Sequence, residues 1–152
     1  MKRQKLFLFY LFFIFIVFSI YCYSQELKEY DTNGDGKTDR WVWVINGFVT
    51  KIEMDLNYDG KVDAVFKYAI KETNTIVIFE KFDTDYDGVF DDFKYFKNGK
   101  FVREEIDKNN DGRIDIWIYV VDGYIYKIEK DTDFDGKVDE VINYWNNWKN
   151  YN

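Results

Sequence analysis

Five short acidic stretches hold almost all of the side chains able to do chemistry. They are Asp31-Thr-Asn-Gly-Asp-Gly-Lys-Thr-Asp39, Asp55-Leu-Asn-Tyr-Asp-Gly-Lys-Val-Asp63, Asp83-Thr-Asp-Tyr-Asp-Gly-Val-Phe-Asp91, Asp107-Lys-Asn-Asn-Asp-Gly-Arg-Ile-Asp115 and Asp131-Thr-Asp-Phe-Asp-Gly-Lys-Val-Asp139. Their starts are spaced by 24, 28, 24 and 24 residues. The chain has 19 Asp, and 17 of them occupy positions 1, 3, 5 or 9 of these nonapeptides, with Asn33, Asn57 and Asn109 in the other three places. Two carboxylates about 4 Å apart repel by roughly 1 kcal/mol in water and about 4 kcal/mol at an effective protein dielectric near 20. Acid this concentrated calls for a compensating cation.

The pattern suits Ca²⁺, which takes six to eight hard oxygens at roughly 2.3–2.6 Å. Positions 1, 3 and 5 offer side-chain oxygens: Asp31, Asn33 and Asp35; Asp55, Asn57 and Asp59; Asp83, Asp85 and Asp87; Asp107, Asn109 and Asp111; Asp131, Asp133 and Asp135. Gly at position 6 permits the sharp bend. Position 7 would supply a backbone carbonyl, so its side chain is free to vary as Lys37, Lys61, Val89, Arg113 and Lys137. Asp39, Asp63, Asp91, Asp115 and Asp139 at position 9 would close the shell. Up to five Ca²⁺ ions are expected. Magnesium fits less well, because it prefers strict octahedral geometry and retained water. Thr38, Val62, Phe90, Ile114 and Val138 at position 8 should tuck each loop against the core.

The nonapeptides resemble the start of an EF-hand loop, although the Glu of that family at position 12 is replaced by Val42, Phe66, Lys94, Ile118 and Ile142. They are closer to the D-x-D-x-D-G-x-x-D loops between β-strands of integrin-type propeller blades, whose blades are much longer. The chain also looks like the hairpin-plus-calcium-loop repeats of exported bacterial proteins, over about residues 30 to 152. These resemblances imply cation binding and surface exposure, and no reaction.

Residue inventory excludes much else. From Gln25 to Asn152 there is no Cys, Ser, His or Pro. Thiol nucleophiles, Ser–His–Asp triads, His bases and His- or Cys-ligated zinc are ruled out there. Carboxylate pairs remain, as in glycosidases, but nearly every Asp is committed to a loop. No enzyme is expected. Phosphate and nucleic acid are disfavoured, because they need clustered Lys and Arg. Without its first 24 residues the chain has 18 bases against 28 acids, a net charge of −10, which five Ca²⁺ would neutralise.

The elements that must position these loops can be read next. After each nonapeptide comes a run of β-branched and aromatic residues, such as Trp41–Ile45 or Ile116–Val121. A two-residue signal follows, Asn46-Gly47, Asn98-Gly99 or Asp122-Gly123, and then a returning run. Asn-Gly and Asp-Gly favour the type I′ turn of a β-hairpin. Repeat two should have a longer loop, Lys71-Glu72-Thr73-Asn74, and repeat five has Asn146-Asn147 at its turn. The fold expected is all-β: an antiparallel meander of about five hairpins and about ten strands, with period 24, joined by the calcium loops. An elongated open sheet is the first expectation, and a sandwich or closed barrel the alternative. On the returning strands Lys51 and Glu53, Arg103 and Glu105, and Lys127 and Glu129 should form a wet face. Phe48 with Ile52, and Tyr124 and Tyr126 with Ile128, should form its apolar opposite. Outgoing strands are apolar on both faces in repeats one and four and should be covered on both, and Trp41 and Trp117, which share an apolar repeat position with Val65, Phe93 and Val141, should be buried.

The domain division is 1–24 and 25–152. Lys2, Arg3 and Lys5 precede the apolar run Leu6–Ile20, which is the pattern of a secretory signal. Cleavage before Gln25, lipidation of Cys22, and an uncleaved anchor remain open readings. All three place the repeats outside the cytoplasm, in the periplasm, at the cell surface or beyond, with membrane contact only through this segment. The functional expectation is a non-catalytic, calcium-stabilised structural or adhesive module. A carbohydrate- or protein-binding surface is the alternative, with Trp145 and Trp148 as its candidate exposed aromatics. The partner would be an unidentified protein or glycan, and a homo-oligomer is possible.

Overall fold

A computed structural model describes residues 24–144. It contains ten strands: β1 (Gln25–Tyr30), β2 (Arg40–Ile45), β3 (Phe48–Met54), β4 (Ala64–Lys71), β5 (Asn74–Phe82), β6 (Asp92–Lys97), β7 (Lys100–Ile106), β8 (Ile116–Val121), β9 (Tyr124–Lys130) and β10 (Glu140–Asn143). They form one antiparallel sheet in sequence order, from β1 to β10, open at both edges. It is the expected open meander, and it does not close into a barrel. The hairpins are β2–β3, β4–β5, β6–β7 and β8–β9; the second, third and fourth nonapeptides link one hairpin to the next, the first links β1 to β2, and the fifth links β9 to β10. All five acidic loops therefore lie at one end of the strands, and the tight turns at the other. Asn46, Asn98 and Asp122 take φ of 51, 53 and 47°, with positive φ at the following glycines, as the turn signals required.

Three sequence expectations are corrected. Repeat two keeps a two-residue turn, Glu72-Thr73, and its extra residues lengthen β4 and β5 to eight and nine residues. Extending the ladder satisfies backbone groups that a longer loop would leave to solvent. Secondly, every hairpin carries a bulge in its returning strand, with Thr50, Ile78, Val102 and Tyr126 as the extra residue. A bulge resets the alternation of faces. Phe48 therefore pairs with Ile45 on one face while Ile52 pairs with Val42 on the other. The same shift separates Tyr124 from Ile128. Thirdly, the outgoing strands are not covered by a second layer among the described residues. Trp41 and Trp117 are half-buried, and the buried apolar residues are Val42, Val44, Ala64, Val65 and Val120.

The expected wet face is half-buried, because its cations lie on rings. Lys51 Nζ is 3.4 Å from the Trp43 ring centre, Lys127 Nζ is 3.9 Å from that of Tyr119, and the Arg103 guanidinium is 4.9 Å from that of Tyr95. A glutamate completes each group. Glu129 accepts from Tyr119 Oη at 2.7 Å and from Lys127 Nζ at 2.9 Å. Glu105 accepts from Tyr95 Oη at 2.6 Å and pairs with Arg103. A single-layer sheet thus shields its surface by repeating aromatic, cation and carboxylate across neighbouring strands. β1 was not foreseen. Its Glu29 stands in register with Trp41, as Glu53 does from the other side, so β1 supplies the missing neighbour of β2.

Candidate metal centres

Loop geometry starts with two left-handed residues. Gly at position 6 has φ between 87 and 97° in all five loops. Position 4 is also left-handed, at Gly34, Tyr58, Tyr86, Asn110 and Phe134, with φ of 81, 65, 63, 58 and 61°. Two such residues, one apart, curl the backbone so that its N–H groups point inward. The sequence had no strong signal for position 4, where two Tyr and a Phe stand against their usual preference.

The carboxylates collect those N–H groups. Position 6 donates to Oδ2 of position 1 in every loop, at 2.6–2.8 Å. Position 5 donates to the side-chain oxygen of position 3, at 2.8–3.3 Å. Position 7 donates to Oδ1 of position 5, at 2.7–2.9 Å. Oδ2 of position 9 reaches back to accept the N–H of position 2, at 2.6–3.0 Å. Thr32, Thr84 and Thr132 at position 2 add their hydroxyls to the same carboxylates. Asn at position 3 is bonded just as Asp is, so the Asn-bearing loops keep the same shape. Each ligand is oriented by the backbone, and carboxylate oxygens retain lone pairs for a cation.

Positions 1 and 9 form the base of each loop. The position 9 N–H closes its own loop onto the preceding strand, as in Asp63 N to Met54 O at 2.8 Å. The N–H of position 1 donates to the position 9 carbonyl of the preceding loop, at 2.7–2.8 Å. Asp31, Asp39, Asp55, Asp63, Asp83, Asp91, Asp107, Asp115, Asp131 and Asp139 therefore stand in one row across the sheet, continuing the strand register. Eight of them are buried, and Asp63 and Asp115 are only 1% exposed. Asp31 and Asp139, at the ends of the row, are exposed. The Gly36 N–H, helped by those of Gly34, Asp35 and Asn33, holds the Asp31 carboxyl below its ordinary value. The Thr132 N–H and hydroxyl do the same for Asp139, and Arg113 for Asp111.

Loops three and five bring three carboxylates together. Oxygens of Asp83, Asp85 and Asp91, and of Asp131, Asp133 and Asp139, lie within 4.8 Å of one another. Such triads can hold a hard divalent cation through positions 1, 3 and 9. Asp87 and Asp135 at position 5 lie outside the triads. In loops one, two and four the corresponding pairs are Asp31 and Asp39, Asp55 and Asp63, and Asp107 and Asp115, with Asn33, Asn57 and Asn109 at position 3. The position 3 and 5 side chains are solvent-facing throughout. Position 8 is half-buried in four loops, whereas Val138 is 43% exposed. Trp145 and Trp148 lie outside the described residues, as do Cys22 and the apolar segment before it.

Comparison with known proteins agrees with the loop reading over a short stretch. A family model described as EF hand matches residues 104–116, which contain the fourth nonapeptide. No curated protein matches the chain. Among solved structures, one titled "Crystal structure of accessory secretory protein 1,2 and 3 in Streptococcus pneumoniae" is similar, at 14% identity and a TM-score of 0.47. The likeness covers 72% of this chain and 19% of that one. The EF-hand match and the two Asp triads together fit a repeat of calcium-binding loops set between β-hairpins.

Proposed function

We propose that this chain is a non-catalytic calcium-binding repeat module of an exported protein, structural or adhesive in role, in which Ca²⁺ stabilises the fold. The observation that carries this is the pair of carboxylate triads, set in loops whose backbone holds each ligand in place. The same bonding recurs in all five loops, which supports up to five ions. Export rests on the basic and apolar start of the chain, and absence of catalysis on its residue inventory. Extracellular calcium modules bind at about 10⁻⁴–10⁻³ M. The partner would be a protein or glycan, reached by a rigid array that the ions brace.

Melting followed by far-UV circular dichroism, with millimolar Ca²⁺ and with chelator, tests the reading. At millimolar calcium, about one to ten times such a Kd, each site adds about 0.4–1.4 kcal/mol, so melting should rise with calcium. Identical melting in both conditions overturns the proposal. Asp111→Ala should remove or weaken one site in calorimetry and loosen the joint between the third and fourth repeats. Five undiminished sites in that variant would contradict the ligand assignment.

A further inference from the structure

Position 7 has two parts with separate destinations. Its N–H serves the position 5 carboxylate of its own loop. In two loops its side chain reaches the next one. Lys61 Nζ, from loop two, donates to the Asp87 carbonyl of loop three at 3.2 Å. The same Nζ lies 2.8 Å from where a side chain on Gly88 would begin. Arg113, from loop four, donates to the Phe134 carbonyl of loop five at 3.1 Å and lies 3.1 Å from the corresponding point on Gly136. The receiving loops are the two with Asp at all four acidic places, and they are the two that form carboxylate triads. Gly60 and Gly112, in the Asn-bearing loops two and four, have nothing within 4 Å at that point.

We propose that Lys61 is a tethered counter-cation that lowers the calcium affinity of loop three, and that Arg113 acts in the same way on loop five. The inference rests on the calcium reading and adds a control on it. A fourth carboxylate would make loops three and five the tightest sites. Counted over the four acidic places alone, one borrowed positive charge brings each to the value of an Asn-bearing loop, with loop five also carrying its own Lys137 on Asp135 at 3.1 Å, so the five sites fill over a narrower range of calcium. Lys61 is the cleaner case, because the side chain of Arg113 also pairs with Asp111 of its own loop at 2.6 Å. Asn110 of loop four donates to Asp85 Oδ2 at 2.7 Å, so loop three is held from both sides. A unit charge beside a divalent ion, weakened by water and salt, changes affinity by about three- to tenfold.

Calcium titration of the full chain, followed at the Gly88, Gly60 and Gly112 amide resonances, reads the sites separately. Lys61→Gln should lower the midpoint at Gly88 by about three- to tenfold and leave Gly112, two loops away from its backbone position, in place. That gain should shrink at high salt, and Lys61→Arg should behave as the parent. Lys37→Gln, whose lysine precedes loop two and leaves Gly60 open, should leave the midpoints at Gly60 and Gly88 in place. A parent that binds calcium while Lys61→Gln leaves the Gly88 midpoint unchanged, or raises it, overturns the tuning alone. A parent whose amides do not respond to calcium overturns the binding reading and the tuning with it.

Discussion

Carboxylates are withdrawn from water in two parts of this molecule, by different means. At the loop end, Asp63 is 1% exposed, and its Oδ2 accepts the N–H groups of Leu56 and Asn57 at 2.6 and 3.1 Å. In the middle of the sheet, Asp92, Glu104 and Glu80 gather around one cation, Lys94. Lys94 pairs with Asp92, and with Glu104 at 3.1 Å. There burial pushes the carboxyls of Asp92 and Glu80 above their ordinary values, and Asp92 Oδ1 is buried without a partner. Backbone N–H groups belong to the fold and cannot be lost by substitution at another site. A lone lysine can. The loop carboxylates are thus held ready for a cation, while those of the sheet centre depend on a cation already present.

The largest expected effect tests the first half of that contrast. Asp63→Ala leaves two loop N–H groups without their acceptor and should cost about 3 kcal/mol in chemical denaturation. Lys94→Met should cost about 2 kcal/mol at neutral pH, since it strands three carboxylates. Its cost should fade on acidification, as Asp92 and Glu80 take up protons. An acid-insensitive Lys94→Met would show that the lysine matters for packing and would end the comparison. Next comes Gly60→Ala. Open space surrounds its missing side chain, so only φ of 94° opposes the change, and about 1 kcal/mol should be lost. Smallest is Glu80→Gln. The folded-state pKa of Glu80 lies above its unfolded value, so ionising it weakens the fold as pH rises through the folded value. The variant should be slightly more stable at pH 7, within about 0.5 kcal/mol. That gain should vanish below about pH 4, where the carboxyl is protonated in both states. A gain that persists in acid would contradict the assignment.

The hairpins were legible because alternating β-branched and aromatic residues, with Asn-Gly or Asp-Gly at fixed distance, leave few other folds. The Glu72-Thr73 turn was not, because extra residues can lengthen strands as readily as loops. The bulges were also hidden. Thr50, Val102 and Tyr126 read as ordinary strand residues, and only pairing with a partner strand reveals the extra one. β1 had a usable clue, since Lys28-Glu29-Tyr30 precedes the first Asp as Ile52-Glu53-Met54 precedes the second. For the candidate sites, ligand type and order were plain in the repeat. The bonds of position 9 back to position 2 were not, although Thr32, Thr84 and Thr132 hinted at a hydroxyl role.

By itself the sequence determined the repeat, its strands, the loop end and the hard-oxygen chemistry, because these follow from local residue type and period. Tertiary structure decided which oxygens converge and which neighbour each loop meets. Pairing of strands places Asp39 beside Asp55, and Asp63 beside Asp83, and carries Lys61 across to loop three. Such proximity depends on register between strands, about 4.8 Å apart, and register is a property of the assembled sheet.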